Sequence, residues 1–271
     1  MPNPKATILL LRDPDEEYHR ASVARDLLPL FIQVLADKAE NKSELNARIA
    51  NINDTSIWGV VSTSKRASFA FKAALQTLTE DSRTDCIQIT EYWKNKVYFA
   101  PGKASARPFL DISLQVQGYE TTSDASTLAK FIIQYIEELP AEEKKKIQSK
   151  KLLFLTGDKT RDELGSALSA ASIPVEQLQV YSTYPNPNLT AMLEVAQNNI
   201  INKFDWVVFF SPSGVDLALP MLSSSPNWIN TKVAAIGNTT KSHLESHSIH
   251  VHAVPLKPTA EQLFVAISTI Q

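Results

Sequence analysis

The chain has 271 residues, of which 44% are hydrophobic and 21% are charged, and this composition is typical of a globular protein and excludes a disordered one. Its 27 basic and 29 acidic residues give a formal net charge of −2, which disfavours nucleic-acid and membrane-surface binding. A single cysteine, Cys86, excludes an intrachain disulfide and favours a reducing, cytoplasmic location. The first apolar run, at residues 6–11, is too short for a signal segment or a membrane span.

Short apolar runs alternate along the chain with amphipathic stretches of helical length. The runs are almost entirely apolar, which is typical of strands that are covered on both faces. The predicted strands are residues 8–11, 57–61, 97–100, 152–155, 206–210 and 233–236. The predicted helices are residues 68–78, 125–138, 161–171, 215–221 and 260–270. This alternation predicts an α/β fold built on parallel sheets.

The chain also contains a weak internal repeat with an offset of 135 residues. Gly102 and Gly237 each follow a predicted strand, and a helical leucine follows each of them at Leu128 and Leu263. Matching strands are predicted between these landmarks, at residues 112–116 and 247–251. We therefore expect two similar α/β domains.

The first copy of the repeat spans about residues 40–171 and does not include the strand at residues 8–11. One domain is therefore predicted to be discontinuous. We expect residues 1–33 and 182–271 to form this domain, with the first strand in the sheet of the second copy, and residues 34–181 to form the other. The predicted linker strands lie near residues 30–36 and 177–184.

Hydroxyl-rich loops follow five predicted strands, and four of the seven glycines lie in them. Ligands of open α/β sheets bind at the carboxyl ends of the strands, where glycine and helix N-termini expose backbone N–H groups to anions. Each loop by itself is explained as an ordinary N-cap, but the five together favour a site for an oxyanion-rich ligand. The loops are residues 62–66, 101–105, 156–161, 211–214 and 237–240.

Two further residue patterns have side chains that can take part in chemistry. His243 and His247 have the i, i+4 spacing of zinc ligands, but the H-E-x-x-H order is absent, so surface histidines and no metal are expected. Tyr181 and Tyr184 flank the second predicted crossing. A phenol stays protonated at neutral pH and can act as a general acid, and the alternative is an aromatic anchor at an interface.

Five segments in a fixed order resemble a known family: residues 152–159, 180–183, 209–214, 235–240 and 257–259. The chain is similar to the uroporphyrinogen III synthase family over nearly its full length. The first copy fits through residues 63–67 and 102–105, although Lys65 stands where proline is common and Pro101 precedes the glycine. The resemblance implies two α/β domains joined by a two-stranded linker, one domain being discontinuous.

The resemblance also implies an activity. Members of the family cyclise hydroxymethylbilane, with inversion of ring D and loss of water, to uroporphyrinogen III for heme biosynthesis, with no metal and no cofactor. Tyr181 matches the family's candidate general acid. The residues expected to bind the acetate and propionate groups of the substrate are Arg12, Ser64, Arg66, Gly102, Ser105, Gly157, Lys159, Ser211, Ser213, Gly214, Thr239 and Thr240.

A monomer is expected, because no exposed apolar repeat indicates a dimer face. A transient contact with hydroxymethylbilane synthase, the upstream enzyme, is left open. The alternative function is a non-catalytic two-domain α/β module that closes on a small anionic ligand. Turnover separates the two functions.

Overall fold

The structure is a computed structural model that describes residues 6–80, 86–159, 162–199, 204–225, 228 and 230–270. Thr160 and Arg161, which belong to a predicted ligand loop and a predicted helix, lie outside the described residues. The chain divides into two compact units. Unit 1 comprises residues 1–36 and 184–271, and unit 2 comprises residues 37–183.

In the described part of the chain, the strands are β1 (Ala6–Leu11), β2 (Leu27–Phe31), β3 (Leu35–Ala39), β4 (Ile57–Ser62), β5 (Val97–Phe99), β6 (Val116–Gln117), β7 (Lys151–Gly157), β8 (Val175–Pro185), β9 (Trp206–Phe209) and β10 (Lys232–Ala235). The helices are α1 (Glu16–Val23), α2 (Lys42–Ala50), α3 (Lys65–Glu80), α4 (Cys86–Lys94), α5 (Gly102–Leu110), α6 (Ala125–Glu138), α7 (Ala141–Ile147), α8 (Glu163–Ala170), α9 (Leu189–Asn199), α10 (Pro212–Ser223), α11 (Asn238–Ser246) and α12 (Ala260–Ser268). No helix among the described residues is long and apolar enough to cross a membrane.

Unit 1 is built on a four-stranded sheet with the order β10-β9-β1-β2. Its neighbouring strands are parallel, and Leu9 of β1 pairs with Leu30 and Val207. Leu9 packs into one hydrophobic cluster, whereas Ile8 and Leu10 pack into a second one on the opposite face. Burial of both faces explains the continuous apolar run of β1. The expected place of the first strand, in the sheet of the second copy, is confirmed.

Unit 2 carries the six-stranded sheet with the order β3-β8-β7-β4-β5-β6. The five strands from β8 to β6 pair in parallel. The backbone N–H of Glu40 donates to the carbonyl of Val180, and that of Asn186 donates to Val34, so β3 and β8 run in opposite directions. Because β3 and β8 carry the chain from one unit to the other, these two strands form the linker. The predicted fold class is confirmed.

The repeat is visible in the backbone, although part of its prediction is wrong. Strands were predicted at residues 112–116 and 247–251, but each helix of the pair α5 and α11 ends there in a turn. Ser113 and Ser248 have φ angles of 60° and 61°. The following residue in each copy, Leu114 or Ile249, donates its N–H five residues back to a helix carbonyl, at 3.1 Å in both. Two serines in left-handed caps therefore replace the expected strands, and in this segment only β6 remains.

Candidate functional site

Tyr181 lies directly against Gly157 at the carboxyl end of β7. The two residues are register partners on the neighbouring strands β7 and β8. A Cβ atom added to Gly157 would lie 2.3 Å from Cζ of Tyr181 and 2.6 Å from its hydroxyl oxygen. No other residue fits at this position without displacing the ring. The glycine is therefore required by close approach, and it places the phenol at the end of β7, beside Gly157.

Hydrogen bonds on both sides of Tyr181 hold its backbone. The N–H of Asp158 donates to the Tyr181 carbonyl at 3.2 Å, and the Asp158 carboxylate accepts from the N–H of Thr183 at 3.0 Å. Ser182 donates to the carboxylate of Glu40 at 2.7 Å, and this hydrogen bond, assisted by Lys38, lowers the pKa of Glu40. The ring packs against the core of unit 2. Its hydroxyl has no hydrogen-bond partner among the described residues, so it is available to a ligand.

The loop after β5 presents a second unpartnered hydroxyl in unit 2. Gly102 has a φ of +61°, and its N–H donates to the carbonyl of Thr122 at 2.9 Å. A Cβ atom there would meet nothing within 4 Å. Three residues further on, Ser105 is 9% exposed, and no described residue accepts or donates a hydrogen bond at its hydroxyl.

Unit 1 repeats this arrangement after β10. Gly237 is extended, with a φ of −173°, and it also has open space where a Cβ would be. Thr240 is 3% exposed, Thr239 is exposed, and neither hydroxyl has a partner in the part of the chain that the structure describes. Both hydroxyls are free to donate to an anion, and their equal spacing from the two glycines favours a ligand role for Ser105 and Thr240.

The serine loops after β4 and β9 behave as helix caps. Ser64 accepts from the N–H of Ala67 at 3.1 Å, and Ser211 accepts from the N–H of Gly214 at 3.1 Å. Ser213 lies 3.2 Å from the hydroxyl of Ser211. The N-cap explanation therefore accounts for one acceptor bond in each loop. Ser64 still carries a proton that it can donate to an anion, and so does one of the two hydroxyls of the Ser211–Ser213 pair.

The three predicted cationic residues have different surroundings. The Arg12 guanidinium lies 3.9 Å from the ring centre of Tyr18 and 4.8 Å from that of Phe210, and it pairs with Asp15 at 2.9 Å. Arg66 pairs with Asp37 at 2.6 Å. Lys159 is exposed and has no ion-pair partner among the described residues. Lys159 can therefore meet a carboxylate directly, whereas the two arginines would exchange or share their aspartates.

The sheets gather these residues into two groups, one in each unit. Neighbouring parallel strands end at one edge, so unit 2 presents the loops after β4, β5 and β7, and unit 1 presents those after β1, β9 and β10. The prediction missed Asp158, Thr183 and Glu40, which fix the position of Tyr181. Asp158 directly follows Gly157, but nothing local in the sequence shows that it faces Thr183.

The uroporphyrinogen-III synthase HemD family model matches residues 16–265. The uroporphyrinogen-III synthase of Saccharomyces cerevisiae is 26% identical, over 98% of this chain and 97% of the yeast protein. The uroporphyrinogen-III synthetase of Helicobacter pylori has a similar structure, with a TM-score of 0.62 and 16% identity, over 98% of this chain and all of that one. A mutant uroporphyrinogen III synthase of Thermus thermophilus gives 0.53 and 14%, over 98% of each chain. The two structures show a common fold.

Proposed function

Since the chain belongs to the uroporphyrinogen-III synthase family, we propose that it converts hydroxymethylbilane into uroporphyrinogen III, with inversion of ring D and loss of water. This membership confirms the family and the cyclising-lyase class predicted from sequence. The observation that supports a catalytic role for Tyr181 is its ring, which packs on Gly157 while its hydroxyl has no partner among the described residues. No metal and no cofactor takes part in the proposed reaction.

Tyr181 would donate its phenolic proton to the hydroxyl group that leaves as water. The substrate then becomes an azafulvene, and the substituted carbon of ring D attacks it to give a spiro intermediate. Fragmentation and reclosure at the other position invert ring D. The proton lost from carbon at the end restores the phenol, so the cycle leaves the protein unchanged.

Binding would consist mainly of gripping the acetate and propionate carboxylates. The bilane closes without enzyme to the other isomer, so holding the productive conformation matters more than activating a group. Each unit would bind its own share of carboxylates. In unit 2 the donors are Ser64, Arg66, Gly102, Ser105, Gly157 and Lys159. In unit 1 they are Arg12, Ser211, Ser213, Gly214, Thr239 and Thr240.

The decisive assay supplies porphobilinogen and hydroxymethylbilane synthase, with and without this protein, and separates the oxidised uroporphyrin isomers. We expect a shift from type I to type III. Type I alone, from protein with a native circular-dichroism spectrum, would reject the function and favour the anion-binding module.

Replacement of Tyr181 tests its role separately. We expect Tyr181→Phe to lower kcat by ~10²–10⁴-fold, since this is the usual contribution of general acid catalysis. Tyr184→Phe, in which the altered side chain is 40% exposed, is the matched control and should keep the wild-type rate. A full rate in Tyr181→Phe would reject the acid assignment and leave the function standing.

The remaining expectations belong to this proposal. The two units would act as the two domains of a monomeric, cytoplasmic enzyme. A transient contact with hydroxymethylbilane synthase would deliver the unstable substrate. Gel filtration of this protein alone tests the monomeric state, and gel filtration of the two proteins mixed tests the contact.

A further inference from the structure

Three potential metal ligands from two helices meet on the surface of unit 1. Asp216 lies in the second turn of α10, whereas His243 and His247 lie at the end of α11. The Asp216 carboxylate is 2.6 Å from Nε2 of His243 and 3.8 Å from Nε2 of His247. The ligand atoms of all three lie within 4.8 Å of one another. The i, i+4 pair, which was predicted to consist of surface histidines, therefore gains a third ligand that the sequence did not reveal.

A backbone carbonyl sets the tautomer of His247. Its Nδ1 lies 2.9 Å from the carbonyl oxygen of His243. Since a carbonyl can only accept, the Nδ1 must carry the proton, and the neutral ring keeps its lone pair on Nε2, the nitrogen on the Asp216 side. A second ring N–H bonded to a backbone carbonyl is the usual support of a metal-binding histidine.

We propose that Asp216, His243 and His247 bind a divalent transition-metal ion of the Zn²⁺ type. Ligand atoms in a tetrahedral zinc site lie about 3.3 Å apart, given bonds of ~2.0–2.1 Å. The two carboxylate–imidazole distances, 2.6 and 3.8 Å, lie on either side of this value. The ion takes the place of the proton between His243 and Asp216; the neutral His243 ring keeps that proton on Nδ1 instead, so its Nε2 lone pair is free to bind the ion. The fourth position is left to a water molecule.

The other histidine pair of unit 1 lacks these features. His250 and His252 have ring centres 4.6 Å apart. The Nδ1 of His252 accepts from the N–H of Val233 at 3.1 Å, and burial, followed by the nearby His250 and Lys232, lowers the pKa of His252. No carboxylate joins this pair among the described residues. His250 is therefore a matched control for a histidine that does not bind the ion.

The consequence of the site is a link between α10 and α11. Both helices follow strands of the proposed binding edge, Ser211 capping the first and Gly237 the second. A ligand that binds only the folded state stabilises it in proportion to the logarithm of its concentration. Bound metal should thus raise the melting temperature of the whole chain.

Calorimetric titration of untagged, chelator-treated protein with ZnCl₂ tests the proposal. We expect one ion per chain with micromolar affinity, a raised melting temperature, and a tetrahedral absorption spectrum with Co²⁺. His247→Ala and Asp216→Asn should each weaken binding at least ~10-fold, a loss typical of metal-site substitutions. His250→Ala and Cys86→Ser should bind as the wild type does.

The variants must first melt at the wild-type temperature in chelator, which separates loss of a ligand from loss of fold. If His247→Ala melts at a lower temperature than the wild type in chelator, His247→Gln is used in its place. No saturable Zn²⁺ binding by the wild-type protein would overturn the proposal. Equal weakening by His250→Ala would also overturn it, since the metal would then lie elsewhere.

Discussion

The two glycine loops after β5 and β10 have similar sequences and different backbones. In unit 2, Gly102 is left-handed at +61° and its N–H is bound to Thr122. In unit 1, Gly237 is extended and begins α11 without a side-chain cap. Even so, Ser105 and Thr240 are both buried residues whose hydroxyls have no hydrogen-bond partner among the described residues. The hydroxyl follows the glycine by three residues in both copies, but the helices begin at different points, since Gly102 is the first residue of α5 and Gly237 is the N-cap of α11.

Glycine is required for two different physical reasons in these loops. Gly102 is needed for its conformation, because an L-residue at positive φ is strained. Gly157 is needed for space, because a side chain there would meet Tyr181. Gly237 is needed for neither reason, because its φ is extended and a Cβ there would meet nothing within 4 Å. Gly237→Ala is therefore the control for substitutions at Gly102 and Gly157.

The largest effect is expected from Gly157→Ala. The added methyl group would displace the Tyr181 ring, so kcat/KM should fall by about 100-fold or more, as it would on losing the acid itself. Gly237→Ala adds the same methyl group into open space and should retain activity. Steady-state kinetics of both variants make the comparison. Equal activities would show that the Tyr181 position is not critical.

The hydroxyls of the two copies are compared by Thr240→Val and Ser105→Ala. If each hydroxyl donates to a substrate carboxylate, its loss costs about 1.5–3 kcal/mol, or roughly 10–100-fold in kcat/KM. Urea unfolding should show that neither change destabilises the fold by a comparable amount. Unchanged kinetics in stable variants would remove both from the site. A loss in one variant alone would show that the copies bind unequal shares of the substrate.

The backbone difference predicts opposite stability effects. Gly102→Ala places a Cβ in the left-handed region and should lower the free energy of unfolding by about 1–2 kcal/mol. Gly237→Ala should be neutral, or stabilising by up to ~1 kcal/mol, because it restricts the unfolded chain. Urea titrations at constant pH measure both. Equal destabilisation would mean that the two loops share a conformation in solution.

The smallest expected effect is the pH dependence of stability. Histidine titration can affect only unit 1 directly, because all five histidines lie there. Burial, and then the nearby His250 and Lys232, lower the pKa of His252. The unfolded chain therefore binds more protons, and stability is lost as the pH falls below about 6.5, the ordinary histidine pKa. His252→Asn, which can still accept from Val233, should flatten this dependence. The same slope in the variant would assign it to another group.

The sequence predicted the two-copy α/β architecture because its signals are local. Continuous apolar runs marked β1, β4 and β7, whose residues are buried on both faces of a sheet. The prediction missed β2 and placed β3 and β8 only approximately, as linker strands near residues 30–36 and 177–184. The exposed or mixed residues of these strands show neither a continuous apolar run nor strict alternation. The segments at 112–116 and 247–251 failed as strands because one left-handed serine in each ends a helix instead.

The sequence predicted which residues belong to the candidate site but not how they are arranged. Tyr181 and Gly157 were both named, yet their contact depends on the register of β7 and β8. Similarly, His243 and His247 were recognised as a pair, whereas Asp216 reaches them only because α10 packs on α11.

By itself, the sequence determined the fold class, the repeat and the resemblance to a family, because apolar periodicity and short ordered motifs are properties of contiguous residues. Only the tertiary structure decided which glycine needs its conformation, which needs its space, and which hydroxyls are left without partners. Those properties depend on residues distant in the chain, such as Thr122 for Gly102 and Tyr181 for Gly157, whose approach is set by strand register and helix packing.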